Sequence, residues 1–377
     1  MRKDRSLPLL VTGAAGLLIA AFVVVQLGPL AASPAGSPGA PDIGAAATSD
    51  ASGPIDSAGA LAAASLGASV SQSPTEGGSP APSLLVTPVA TRVATSTQTA
   101  TRTPAATPAP CPIFPSSNVW NRDISSLPVA ANSAAMVDAI GRSDYLHPDF
   151  DAIGDGIPFN VVTSSTPKYT VGFQYADESD AGPYPIPANP RIEKGSDRHM
   201  LMLDRSACRL YELYDVRKSG SSWHAGSGAI WSLRSNALRP AGWTSADAAG
   251  LPILPGLGLY AEVQSGAIRH AIRFTAPDTC GYIYPARHLT ADPCSNLPPM
   301  GLRVRLKASV NISSFGPQAR VVLTALKRYG MILADNGAPW YITGEPNTRW
   351  NDDELHRLQT LTGADFEVVD TSGLRNG

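Results

Sequence analysis

Residues 197–216 read DRHMLMLDRSACRLYELYDV, two apolar segments joined by a short link. His199, Leu201 and Leu203 alternate along one apolar segment, and Leu210, Glu212 and Tyr214 alternate along the next. Successive side chains of a strand point to opposite faces, so each trio shares a face. Four residues, 205–208, separate the segments, and a connection that short favours an antiparallel hairpin. Counting outwards from the turn sets Glu212 against Leu201 and brings His199 towards Tyr214.

The same signature recurs along the chain. Short apolar or alternating runs at 161–164, 169–175, 229–233, 259–263, 268–275, 302–307, 331–334, 340–343 and 366–369 are punctuated by Pro, Gly, Ser and Asp. Each reads as a strand. Helices are expected only at 133–140, 317–329 and 352–361, with one capped turn opening at Thr244–Asp247. A mainly β fold follows: a β-sandwich or jelly-roll-like single domain with a few short helices.

That domain occupies residues 111–377. All six tryptophans lie within it. Ahead of it, residues 1–6 carry Arg2, Lys3 and Arg5, a basic flank expected on the cytoplasmic side. Residues 7–32 form an uncharged apolar run. About 20 helical residues cross a bilayer core, so the run reads as a transmembrane anchor; a cleaved signal peptide is the other reading, with Ala31, Ala32 and Ser33 offering a cleavage site. Residues 33–110 are rich in Ala, Ser, Thr and Pro and poor in aromatics, the composition of a disordered linker. Both readings of the apolar run export the domain: it is membrane-tethered and extracellular, or secreted.

Four cysteines in an exported domain are expected to form disulfides, with three pairings open. Cys280 and Cys294 bracket a Pro/Asp-rich loop, which favours a local bridge and leaves Cys111 to pin the domain's start to Cys208. Zinc is the rival reading, but no C-x-x-C pair is present. The 29 Lys and Arg nearly balance the 31 Asp and Glu, and no basic stripe with interleaved aromatics appears, so a nucleic-acid partner is not expected.

The familiar catalytic signatures fail. Gly226-Ser227-Gly228 lacks the frame of a nucleophile elbow, and there is no H-E-x-x-H, P-loop or G-x-G-x-x-G in a strand-to-helix setting. No cofactor is expected. Oxygen-rich loops at Asp177–Asp180 and at Asp149, Asp151 and Asp155 lack a complete calcium spacing, so no metal site is assigned. What remains are lone polar groups among apolar neighbours. Glu212 within a strand and Asp335 at a strand end are the candidate catalytic carboxylates, each opposed by a purely structural reading as an ion-paired Glu and a turn Asp. His199, His270 and Arg234 are candidate positioning groups for a ligand. Trp231 and Trp243 are candidate stacking platforms, because the apolar side of a sugar ring fits a flat π surface.

The run GSGAIWSLRSNALRPAGWTSADAAGLPILPGL (226–257), with HAIRFT (270–275) and ADNGAPWYITGEP (334–346), resembles an uncharacterised family of exported bacterial β-rich proteins. The resemblance spans about 114–370 and implies membership, not an activity. More remotely, the strand-rich layout is similar to the concanavalin-like and jelly-roll folds of glycosidases, polysaccharide lyases and lectins. The expectation is a domain acting on extracellular or cell-wall polysaccharide, as a glycoside hydrolase with two carboxylates across a cleft. A non-catalytic carbohydrate-binding or adhesion module stands as the alternative, and a structural protein of the cell envelope as a third.

Overall fold

A computed structural model describes residues 111–375, which lie within one compact unit. The basic flank, the apolar run and the linker, with the anchor and signal readings placed on them, lie outside the described residues. Among the described residues, no helix is long and apolar enough to cross a membrane.

The fold is mainly β, with several mixed sheets and few short helices. The largest sheet has six strands in the order His147–Asp149, Tyr341–Thr343, Ile272–Ala276, Met331–Asn336, Arg303–Leu306 and Phe366–Val368. A four-stranded sheet runs Ser227–Ser232, Arg209–Tyr214, Met200–Asp204, Phe159–Val162.

The 197–216 stretch folds as read. Leu201 pairs with Glu212 and Met200 with Leu213 in an antiparallel ladder. The turn is held by Asp204, whose Oδ1 accepts from the Ser206 and Ala207 amides, each at 2.9 Å. Burial explains why the run is apolar on both faces. Leu201, Leu203 and Leu210 join the main core, whereas Met200, Met202, Tyr211 and Leu213 pack with Tyr184 and Trp223 in a second, smaller core. Cys111–Cys208 and Cys280–Cys294 are both bridged, which is the expected pairing.

Three expectations need correction. Four strand pairs are parallel, including Ile272–Ala276 with Met331–Asn336. Jelly rolls are antiparallel, so the expected β-sandwich or jelly-roll-like layout gives way to several mixed sheets. The chain between those two strands passes through the Arg303–Leu306 strand and the Pro317–Arg328 helix, a crossover long enough to return it in parallel. Second, Tyr260–Gln264 is a helix, not a strand. Its apolar run is too short for periodicity to discriminate. Third, Thr244–Asp247 opens no helix: the Ser245 hydroxyl accepts from the Asp247 amide at 2.9 Å, closing a side-chain turn instead.

The Pro317–Arg328 helix starts with Pro at its first turn and buries Ala319, Val322, Leu323 and Leu326. It ends at Gly330, whose φ of +67° is left-handed; a Cβ there would meet the Val304 carbonyl at 2.2 Å. The tight turn sends the chain directly into the Met331–Asn336 strand at the centre of the large sheet.

Candidate functional site

The site grows from the two central strands of that sheet. Arg273 pairs with Ile332 and Phe274 with Leu333, but the register then slips, so that Thr275 faces Asp335. Because side chains alternate, a one-residue slip moves a residue to the other face. Asp335 would otherwise side with Leu333. The bulge instead delivers it to the face of Arg273 and Thr275.

Arg273 is buried and makes a forked pair with Asp247: Nε donates to Oδ2 at 2.9 Å and Nη2 to Oδ1 at 2.7 Å. Nη1 donates to Thr343 Oγ1 at 2.8 Å, and Nη2 lies 3.6 Å from Asp335 Oδ2. Such planar, two-pronged recognition of a carboxylate is what a guanidinium supplies and an ammonium does not. Asp335 is pushed up to about 8: burial comes first, then the Asp247 charge, and a hydrogen bond shared with Asp247 adds to these against the opposing Arg273 cation. Asp335 therefore holds its proton more tightly than an ordinary carboxyl, beside an arginine-bound carboxylate.

Both aspartates line a cleft of about 380 Å³. Glu178, Asp197, Tyr214 and His288 also line it, and no Lys or Arg is among its lining residues. Glu178 Oε2 accepts from the Thr244 amide at 2.9 Å and stands 3.7 Å from His288 Nε2. His288 Nδ1 is 2.8 Å from the Ala248 carbonyl, so the residue that follows Asp247 in the cleft wall is tied down.

The other predicted residues fall elsewhere. Glu212 is fully enclosed and does not line the cleft. Its carboxylate accepts from the Ile253 amide at 3.0 Å, the Leu254 amide at 2.9 Å and Trp231 Nε1 at 3.1 Å. Burial raises it to about 7; the Leu254 and Ile253 hydrogen bonds oppose that rise, and the Asp247 charge adds to it. Glu212 and Asp335 therefore do not face each other across the opening. The carboxylate that shares the Arg273 guanidinium with Asp335 in the cleft wall is Asp247.

His199 is buried behind the cleft, Nδ1 2.6 Å from Glu193 Oε2 and Nε2 2.9 Å from the Ala246 carbonyl. Its ring leans on Tyr214 with centroids 5.7 Å apart. His270 is also buried, bound to Glu262 at 3.0 Å and to the Ala271 carbonyl at 2.8 Å, outside the cleft lining. Arg234 is exposed and outside that lining too.

Trp231 is buried and Trp243 half-buried, and they share one occupant. The Arg239 guanidinium lies 5.6 Å from the Trp231 ring centre and 5.4 Å from that of Trp243. Arg239 also binds Asp180 at 2.6 Å, the Glu178 carbonyl at 2.8 Å and the Thr244 carbonyl at 2.7 Å. The pair of tryptophans thus clamps a cation that fastens the Glu178 loop to the Thr244–Asp247 loop.

Sequence reasoning missed Asp247, Arg239, Glu193, His288 and the role of Arg273. Asp247 was visible only as a turn cap, and Arg273 as a strand arginine able to orient an acidic sugar, not as the partner of a buried carboxylate. Among the described residues, no group of three or more His, Cys, Asp or Glu is placed to hold a metal ion. Comparison with protein-family models, curated proteins and solved structures returned no match.

Proposed function

We propose that this domain is an extracellular glycoside hydrolase whose working site is the cleft at Asp247 and Asp335. The observation that carries the reading is the Asp247–Arg273–Asp335 arrangement in the cleft wall. A carboxyl group that keeps its proton and a second carboxylate are the minimal equipment for acid-assisted cleavage of a glycosidic bond. Asp335, protonated at neutral pH, serves as the general acid towards the leaving oxygen. Asp197 is the solvent-facing carboxylate of the same lining and serves as the second group. Asp247, fixed by the guanidinium fork, holds the proton on Asp335.

The lining also sets the substrate's charge. With Asp335 holding a proton and Asp247 matched by Arg273, Glu178 and Asp197 are the carboxylates of the lining left without such a partner, and with no Lys or Arg beside them they favour neutral or amine-bearing sugars over uronates and sulfated glycans. The non-catalytic binding reading is weaker, because its two tryptophan platforms are spent on Arg239. Two disulfides suit an oxidising, extracellular setting. We place the domain there, held on an N-terminal membrane anchor and spacer, within reach of wall-bound polysaccharide.

The test is incubation of the full chain with neutral, amine-bearing and uronate-containing glycans. New reducing ends from the first two classes support the reading. Retention without release supports a binding module, and neither outcome on any class overturns a carbohydrate role.

A further inference from the structure

His199 sits where a buried charge has a structural purpose. Both of its ring nitrogens face acceptors: the Glu193 carboxylate at 2.6 Å and the Ala246 carbonyl at 2.9 Å. A neutral imidazole has one N–H and satisfies only one of two acceptors; an imidazolium satisfies both. Glu193 grips the same residue a second time, accepting the His199 amide at 3.1 Å. Burial works against the charge, but the Glu193 hydrogen bond and charge outweigh it and hold His199 above the ordinary histidine range. The acceptor at the other end, Ala246, immediately precedes Asp247.

We propose that Glu193 and His199 are a positioning pair for the cleft, in which the His199 imidazolium anchors the Ala246 carbonyl and so seats Asp247 between Arg273 and Asp335. The proposal rests on the cleft being the working site, but its test does not need turnover. The charges acting on His199 pull in opposite directions: Glu193 and Asp247 favour the imidazolium, and Arg273 opposes it. Glu193 comes from the preceding loop, Asp247 from the anchored loop, Arg273 and Asp335 from the two central strands, and Tyr214 from the hairpin partner. Asp335 feels the imidazolium directly, since the His199 cation draws its proton affinity down. Removing that cation therefore raises Asp335 further, whereas a merely space-filling histidine leaves it where it is.

The experiment is an infrared titration of the full chain, following the protonated-carboxyl band that Asp335→Asn abolishes. In parallel, histidine ring resonances are followed by NMR. In the wild type, His199 stays doubly protonated through neutral pH. In His199→Gln, which keeps one N–H for the Ala246 carbonyl but carries no charge, the Asp335 transition moves up by about one pH unit, the scale of a charge interaction in a protein interior. Glu193→Gln keeps the size of its side chain, and decides the matter should His199→Gln fail to fold. In it, His199 deprotonates at lower pH and the Asp335 transition rises. A neutral His199 in the wild type at pH 7, or an Asp335 transition unmoved in a folded variant, overturns the proposal. Absence of glycan turnover in the wild type overturns the hydrolase reading and leaves this result standing.

Discussion

Arg273 holds Asp247 by two parallel hydrogen bonds, Nε to Oδ2 at 2.9 Å and Nη2 to Oδ1 at 2.7 Å, with both side chains almost wholly withdrawn from solvent. Twenty-six residues separate them in the chain. A pair this enclosed stabilises the fold less than its geometry suggests, because both charges are desolvated; removing one partner is far more damaging than the pair is helpful.

Arg273→Met is therefore expected to cost about 3–5 kcal/mol, by leaving Asp247 buried without its cation. Urea unfolding of the full chain measures it. The double variant Arg273→Met/Asp247→Leu should recover much of the loss, since it removes the orphaned charge. A cost below about 1 kcal/mol for the single change would show that water reaches Asp247 freely.

Glu212 is expected to be structural. Glu212→Ala leaves the Ile253 and Leu254 amides without their acceptor, so hydrogen exchange at those two positions should accelerate far more than at Leu201. Its raised proton affinity also has a stability signature. The folded value of about 7 lies above the ordinary 4.5, so its contribution is complete below 4.5 and is lost as pH rises towards 7. Glu212→Gln should flatten the pH dependence of stability in that window. An unchanged slope would contradict the account.

His270 makes the same point with a base. Burial opposes its charge, but the Glu262 hydrogen bond and charge outweigh it, so its folded value is raised. Its contribution is present below 6.5 and disappears as pH rises through the higher folded value. Glu262→Gln should remove this alkaline loss, seen as melting curves that converge with the wild type at high pH. Curves that run parallel across the whole range would refute the assignment.

The two disulfides should differ in effect. Cys111–Cys208 spans 97 residues and Cys280–Cys294 spans 14. Chain-entropy reasoning puts their contributions at about 4.7 and about 3 kcal/mol. Paired Cys→Ser variants, compared by urea unfolding, should lose more at the first bridge. The reverse order would mean that strain or residual structure outweighs loop length.

Much of the fold was legible in the sequence, because strand alternation and turn chemistry are local. Leu201 opposite Glu212, and His199 beside Tyr214, could be counted from the turn at Asp204–Arg209. Cys280 and Cys294 declared themselves by the loop they bracket. The site was legible only in fragments, since Asp247, Arg273 and Asp335 belong to three separate segments. What joins them is a parallel crossover and a register slip after Phe274, neither of which leaves a mark on the residues themselves. Asp335 was identified as a strand-end carboxylate, but its partner was misassigned to Glu212, whose strand is buried on both faces. Trp231 and Trp243 looked like sugar platforms because nothing nearby in sequence announced that Arg239 would lie against both rings.

The pH profile of glycan cleavage by the wild type, Asp335→Asn and Glu212→Gln bears most directly on Asp335 as the acid of the cleft. Wild-type activity is expected to fall as pH rises past about 8, with the proton of Asp335. Asp335→Asn should lose about 100-fold or more in kcat, the contribution of a general acid. Glu212→Gln should stay within a few-fold of the wild type wherever it remains folded. Full activity in Asp335→Asn, with loss confined to Glu212→Gln, would contradict that role.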